Sequence, residues 1–552
     1  MFNKIISLLL CILIITSIFV ACNNSNQVEE TTQASTTAES LSEASDQTEA
    51  ETTLETESET ESETAPDTNT SSEETTPIGG GGCPPPIDIP DSDIHEDIDY
   101  GGYDFVVLAD DTVMNREFLE NSNGELVKDT IVMRQEYVEE FLGIKFHLVV
   151  LEGGYGNVEE YASEIAAASG AGTPYDLALA HNLIPPVIAA KGLARDLAES
   201  EALNLYHTEK PYWAQKINQE ILIGGRFFWA SDTASYNNLH HMLCIFTNLE
   251  YFSRINEGYD KNDLYSFVTN KTWTMESMFV LAQGAYENIN KEGEEAQGAD
   301  DLDSYGLQAD ESGDWLDNWL YATGLRLTSL KENGTYHWDL AQNEVVSFID
   351  WWQEALNDDD VDKQDGSPYK MFEEGRAMFA LSNLGMVEQS LEIECTILPL
   401  PFYNYAIKNT YSTPLADGYS SWLIPRAIKK EAFQRSSTVL ETLAGGANRY
   451  IAPAYFEIYL KRQLAVNDPE MKKMFNIIRD SVVFDIGHLY GYSLTVAPLD
   501  EDGDEIPVYV ALRNVWAGNG TGDYADIETI WSKIKDESAI KLSSLMTELL
   551  NY

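Results

Sequence analysis

His181 and Asn182 are the side chains whose placement first invites chemistry. They close the run Pro174-Tyr-Asp-Leu-Ala-Leu-Ala-His-Asn182, which reads as a short buried strand over 176–180 ending in a polar pair. A stretch of helical character follows from Leu183 to Gly192, with Pro185 and Pro186 near its start. In an open α/β sheet, ligands sit beyond the carboxyl ends of the strands. An imidazole and a carboxamide at such an end can meet a solute through hydrogen bonds; the plainer alternative is a solvated helix cap. Two acidic clusters invite a metal instead. Asp500-Glu-Asp-Gly-Asp-Glu505 has Glu505 where a calcium loop of the EF-hand type needs glycine, and Asn357-Asp-Asp-Asp-Val-Asp362 is followed by Lys363. Both read as solvated loops, so no metal and no cofactor is expected. No Gly-x-Ser-x-Gly elbow, His-Glu-x-x-His helix or phosphate-cradling glycine loop occurs. Carboxylates are too numerous for any one pair to stand out as a glycosidase dyad. No catalytic residue is expected.

The elements that must position these residues are divided unevenly along 552 residues of net charge -58. That length exceeds one ordinary domain. The acidity excludes nucleic acid and anionic membrane surfaces as partners, because both repel it. Lys4 precedes an apolar run, Ile5–Val20, that is too short for a membrane span of about 20 residues and suits a signal-peptide core. The run ends Ser17-Ile-Phe-Val-Ala-Cys22, which resembles a bacterial lipobox with Phe19 in place of the usual leucine. That resemblance implies a lipidated, palmitate-type anchor on Cys22. No Lys or Arg occurs between Lys4 and Arg116. From residue 23 to 98 the chain is mostly Thr, Ser, Glu and Ala, closing on Gly79-Gly-Gly-Gly-Cys-Pro-Pro-Pro86. Such a composition buries too little apolar surface to offset its ordering entropy and reads as a disordered tether. Cys83, Cys244 and Cys395 match no metal motif or complete disulfide framework, and Cys244 and Cys395, each in an apolar run, read as buried free thiols.

The body begins with a strand over 102–108. A helix over 130–142 capped by Gly143 follows, then a strand Ile144–Leu151, a helix over 161–169, and the strand at 176–180. This β-α-β-α-β order predicts a parallel sheet with right-handed crossovers. A hairpin is expected around Gly224-Gly225, a strand over 242–248, and a helix opened by Thr274. Further helices are expected over 449–460 and 469–482, and a strand over Ile506–Val510.

The ordered motifs YDLALAHN, GLARDL, KPYWAQ, GGRFFWASD, IFTNLEYF, NKTWTMESM, FEEGRAMFALSNLG, ILPLPFY and YSSWLIPRA resemble the extracellular solute-binding proteins of ABC importers, family 1, sugar-binding type. The match runs from about residue 100 to 550. The resemblance implies an α/β, two-lobe periplasmic-binding-protein-like fold with hinge crossings, preceded by the tether. Lobe 1 takes residues 99–235 and 380–420, and lobe 2 takes 236–379 and 421–552 with a carboxyl-terminal helical cap. It implies a monomer held by its lipid on the extracellular face of the bacterial cytoplasmic membrane. There it captures an oligosaccharide by hinge closure and delivers it to membrane permease subunits. The alternatives are a non-sugar solute, a sensing system, or a surface carbohydrate-active enzyme.

A sugar site needs flat aromatic platforms and planar hydrogen-bonding groups. On the family pattern these are His181 and Asn182 from the first lobe, Asp232 from the first crossing, and Ser382 and Asn383 after the Phe-x-x-Gly-x-Ala-Met signature. Tyr419 and Trp422 supply the later crossing, and Trp315 the second lobe. Trp319 and Trp213 are expected to be packing residues, and Arg449 a surface helix arginine.

Overall fold

The computed structural model describes residues 98–552, apart from 123, 204, 206–209, 215, 217–219, 290–302, 310–312, 333, 363–367, 389–392, 404–409, 457–467, 497–504 and 517–525. Cys22, the apolar leader, Cys83, nearly all of the acidic stretch, and residues 500–504 of the second acidic cluster lie outside the described residues.

The strands among the described residues, in chain order, are β1 (Tyr103–Asp110), β2 (Ile144–Leu151), β3 (Leu177–His181), β4 (Leu243–Asn248), β5 (Tyr305–Gln308), β6 (Thr328–Leu330), β7 (Tyr336–Trp338), β8 (Val361–Asp362), β9 (Ala377–Asn383), β10 (Cys395–Leu398), β11 (Ser420–Leu423), β12 (Thr495–Val496) and β13 (Ile506–Pro507). They build two main sheets, ordered β11-β3-β1-β2 and β10-β4-β9-β5-β8, each the centre of one lobe. The protein has the expected two-lobe α/β form.

In the first lobe β1 runs parallel to β2 and to β3. The connecting helices, Leu126–Leu142 and Val158–Ala171, pack their apolar stripes on the sheet through Ile131, Val138, Tyr161 and Ile165. β1 and β2 pair from Tyr103↔Ile144 to Asp110↔Leu151, so their carboxyl ends finish level. β11 joins antiparallel to β3, with Ser420 opposite His181.

The second sheet corrects the expected lobe boundaries. β9 lies antiparallel to β4 and parallel to β5, and β10 pairs with β4, so β9 and β10 belong to the second lobe. β11 belongs to the first lobe, as does the helix Lys430–Gly446, which packs on Leu126–Leu142. β9 is buried along nearly its whole length. A strand buried on both faces carries no alternation that reveals which sheet it joins.

Two of the chain's passages between the lobes run side by side. One leaves Ala230, runs through Ser231–Ser235 and the helix Tyr236–His241, and enters β4. The other returns through Thr413–Asp417 into β11. The two are stitched together by Leu243 N–H to Pro414 O (3.1 Å) and Ala416 N–H to His241 O (2.9 Å).

The carboxyl-terminal helix Ile527–Asn551 does more than cap the second lobe. It contacts β7, where Trp338 Nε1 donates to Ser538 O at 3.1 Å, and it also packs on the first-lobe helix Ile184–Ala190. The expected strand Ile506–Val510 is strand only at Ile506–Pro507. From Val508 the chain is helical to Trp516, because Val508, Tyr509, Ala511 and Leu512 form one buried face against neighbouring helices.

Candidate functional site at the lobe crossing

The carboxyl ends of the first sheet are tied by one buried carboxylate. Asp110 Oδ1 accepts from Thr112 N (2.9 Å) and Thr112 Oγ1 (2.6 Å), while Oδ2 accepts from Gly154 N (3.0 Å) and His181 N (2.9 Å). One side chain thus fixes the ends of β1 and β3 and the turn after β2. The turn must approach closely: a Cβ on Gly153 would lie 2.1–2.4 Å from the Asp110 carboxyl atoms. The tight turn leaves Tyr155 projecting with 54% of its surface exposed. Tyr492 O–H donates to the Tyr155 carbonyl at 2.6 Å, and the two rings sit 5.2 Å apart.

Beside this aromatic pair the second crossing is clamped to β3. Asn182 N–H donates to Tyr419 O (3.1 Å) and its Nδ2 to Asp417 Oδ1 (2.7 Å), while its Oδ1 accepts from Gly418 N (2.9 Å). Gly418 has φ +109° and the His241 imidazole stands 2.9 Å from where its Cβ would be, so both backbone and space demand glycine.

Asp417, with 32% of its side chain exposed, meets His488 Nε2 at 3.0 Å. His488 Nδ1 meets Asp317 Oδ2 at 3.2 Å, and Arg513 Nη2 meets Asp317 Oδ1 at 2.8 Å. Tyr321 O–H adds a bond to Asp317 Oδ2 at 3.2 Å. Burial alone would discharge His488, but the Asp417 and Asp317 carboxylates outweigh it and push the imidazolium up to about 10. Burial likewise works to raise Asp317 and Asp417, yet Arg513 and His488 hold both below the usual carboxylate range. The result is an alternating, charge-balanced chain, Asp417–His488–Asp317–Arg513, joining the crossing to three second-lobe helices, Ile486–Leu489, Gly313–Ala322 and Val508–Trp516. Tyr509 lies over His488 with ring centroids 4.6 Å apart. A small cavity of about 30 Å³ opens here between Tyr419, Phe484 and His488.

His181 is 8% exposed, and burial holds it below its ordinary pKa, so it is the neutral imidazole. Its Nδ1 accepts from Leu183 N at 3.3 Å, which leaves the proton on Nε2 as a donor.

The sequence-derived set divides on this geometry. His181, Asn182 and Tyr419 meet at the β3–β11 junction. Ser382 and Asn383 end β9 where the first crossing enters β4, and there Asn383 pairs with Leu243 and keeps part of its surface open. Trp315 falls in the helix Gly313–Ala322, and its side chain lies outside the described residues. Three expectations are corrected. Asn182 is fully buried, and its amide is used to hold the crossing. Asp232 is 4% exposed and caps the start of the first crossing, accepting from Ala234 N (2.8 Å) and Ser235 N (2.6 Å). Trp422 is 1% exposed and packs edge-on to Phe118 at 6.1 Å in the first-lobe core, so it offers no face to a ligand. Trp319 is fully buried against Trp352, and Trp213 donates to Glu441 at 2.9 Å inside the first lobe.

Tyr155, Tyr492, Tyr509, Asp417 and His488 were not singled out in the sequence. Only Tyr155 carried a readable signal, the Gly153-Gly154 pair directly after a strand.

Among the described residues no cluster of three or more His, Cys, Asp or Glu is placed to hold a metal ion, and no helix is long and apolar enough to cross a membrane. The acidic loop at 357–362 has an internal use: the Asp360 carboxylate accepts from Gly284 N and Tyr286 N, both at 2.6 Å. Cys244 and Cys395 are buried free thiols.

No protein-family model matches the chain, and no curated protein does. Among solved structures it is similar in chain course to the GacH receptor of Streptomyces glaucescens, solved unliganded and with acarbose. That match has 13% identity and TM-score 0.45, and it covers 82% of this chain and 99% of that one. It is also similar to the sugar-binding protein MalE of Xanthomonas citri, at 12% identity and TM-score 0.47 over 81% of this chain and 98% of that one. The cyclic alpha-maltosyl-1,6-maltose binding protein of Arthrobacter globiformis matches at 10% identity and TM-score 0.47, covering 81% and 99%. Likenesses this remote carry no argument, and the functional reading rests on this chain's own residues.

Proposed function

We propose that the chain is the lipid-anchored, extracellular solute-binding subunit of an ABC importer and that it captures a carbohydrate, an oligosaccharide, between its lobes. One arrangement carries the reading. An exposed tyrosine, Tyr155, is held beside Tyr492 at the carboxyl ends of parallel strands, next to Asp417, His488 and His181, where the chain crosses between lobes. Tyrosine faces take the C–H surface of a sugar ring. The Asp417 carboxylate accepts hydroxyl protons and the His181 Nε2–H donates to a hydroxyl oxygen. Asn383 and Ser382 stand at the mouth of the first crossing to serve the other side of the solute. Rotation about the crossings closes the lobes, driven by contacts made only when both lobes touch the ligand.

In this reading the chain performs no bond-making chemistry. The lipobox-like Cys22 anchors it as a monomer to the outer face of the cytoplasmic membrane, the acidic tether carries the body away from that surface, and permease subunits receive the solute. The test is a thermal-shift screen of the protein against mono- and oligosaccharides, amino acids, peptides and metal ions. A rise with one glycan class alone supports the reading. A rise with peptides or metals and none with glycans replaces the sugar by another solute, and product released from an oligosaccharide would make the chain an enzyme.

A further inference from the structure

Tyr492, the ring partner of Tyr155, also lines a second opening. It is a trough of about 420 Å³, walled by the first-lobe helices Val158–Ala171 and Ile184–Ala190 and by the carboxyl-terminal helix Ile527–Asn551. That volume lies within the range of about 300–1,000 Å³ typical of small-molecule sites.

Its lining is unusual for this chain. The net charge of the protein is -58, yet the residues lining the trough carry as many cations, Lys191 and Lys541, as carboxylates, Glu159 and Glu548. The charges are held in place. Lys191 pairs with Glu159 at 3.0 Å, and Lys541 reaches Glu505 at 2.8 Å, Glu537 at 3.2 Å and Thr495 Oγ1 at 3.3 Å. Ser544 hydroxyl and Leu545 complete the wall from the last helix. A lining of paired cations and carboxylates with spare lone pairs, hydroxyls and an apolar strip favours a neutral, hydroxyl-rich ligand over an ion. Pre-held groups lose little freedom when they bind.

We propose that this trough is an outer subsite. It takes the further sugar units of a linear, neutral oligosaccharide whose first units lie at Tyr155, Asp417 and His181, with Tyr492 as the step between the two sites. This rests on the carbohydrate reading above and deepens it: the chain selects for length.

Titration calorimetry of the full-length protein with malto-, cello- and xylo-oligosaccharide ladders, from monosaccharide to hexasaccharide, tests it. In one ladder the affinity rises by about tenfold or more between the disaccharide and the longest member, a factor equal to about 1.4 kcal/mol. Ser544→Trp, at an exposed helix position, plugs the trough and removes that rise while leaving disaccharide affinity unchanged. Lys191→Ala, on the opposite wall, reduces the rise in the same way. Affinity that does not grow with length, or that grows equally in Ser544→Trp, overturns the outer subsite and leaves the interlobe reading standing. No binding by any ladder overturns both.

Discussion

His488 Nε2 lies 3.0 Å from Asp417 Oδ1, and its other ring nitrogen lies 3.2 Å from Asp317 Oδ2. One imidazolium therefore bridges the strand crossing that enters the first lobe and a helix of the second. Asn182 grips the same Asp417 oxygen from the first sheet at 2.7 Å, so the bond chain runs unbroken from β3 to Arg513. A group that ties the crossing to both lobes influences both stability and the ease of lobe rotation.

The pH dependence has a definite sign. His488 is pushed up to about 10, above its value of about 6.5 in an unfolded chain. The folded state thus binds that proton more tightly. The stabilisation is present in full below about pH 6.5 and is lost as pH rises through about 10. The depressed Asp317 and Asp417 describe the same contacts from the acid side, where stability falls as they protonate, and the two shifts are not to be added. Urea midpoints measured from pH 6 to 10 should decline in the wild type. In His488→Gln the decline should be shallower.

Asp317→Asn removes the charge between His488 and Arg513 and leaves both cations beside a neutral amide. Breaking a buried pair in this way costs about 3–5 kcal/mol. Chemical denaturation reads it as a lowered midpoint at unchanged slope.

Tyr155→Ala separates binding from folding. The ring is 54% exposed, and its loss removes a ring contact worth about 0.5–1.5 kcal/mol. The Tyr492 bond survives, since it is made to the Tyr155 main chain. Glycan affinity should fall by about tenfold or more, a factor of about 1.4 kcal/mol, with only a small change in melting point.

Trp422→Ala behaves in the opposite way. The indole is 1% exposed and sits edge-on to Phe118, so truncation leaves a cavity costing about 3–5 kcal/mol. The melting point drops sharply, and any loss of binding follows the loss of folded protein.

The first lobe was legible because its signals are local. Ile144–Leu151, broken only by Lys145 and His147, and the apolar run 177–180 each follow a helical periodicity, and the β-α-β rule orders them. Trp422 was misjudged because Ser420–Leu423 is buried on both faces, so alternation says nothing about where an aromatic points. Asp232 was expected at the first crossing and Asn182 at a first-lobe strand end as solute contacts, but each side chain is spent on neighbouring groups of the chain, Ala234 and Ser235 N–H for Asp232 and Gly418 N–H and Asp417 for Asn182. The Asp417–His488–Asp317–Arg513 chain joins residues 71 to 196 positions apart. Which helix faces which is set by tertiary packing, and no local pattern announces it.

The most direct measurement is the melting point of the body, residues 98–552, with and without a panel of oligosaccharides at high concentration. A glycan present at a hundred times its dissociation constant stabilises the folded state by about 2.7 kcal/mol. That rise, seen for one glycan class and lost in Tyr155→Ala, is the predicted result. A melting point unmoved by every glycan but raised by a peptide, an amino acid or a metal ion would contradict carbohydrate capture at this crossing.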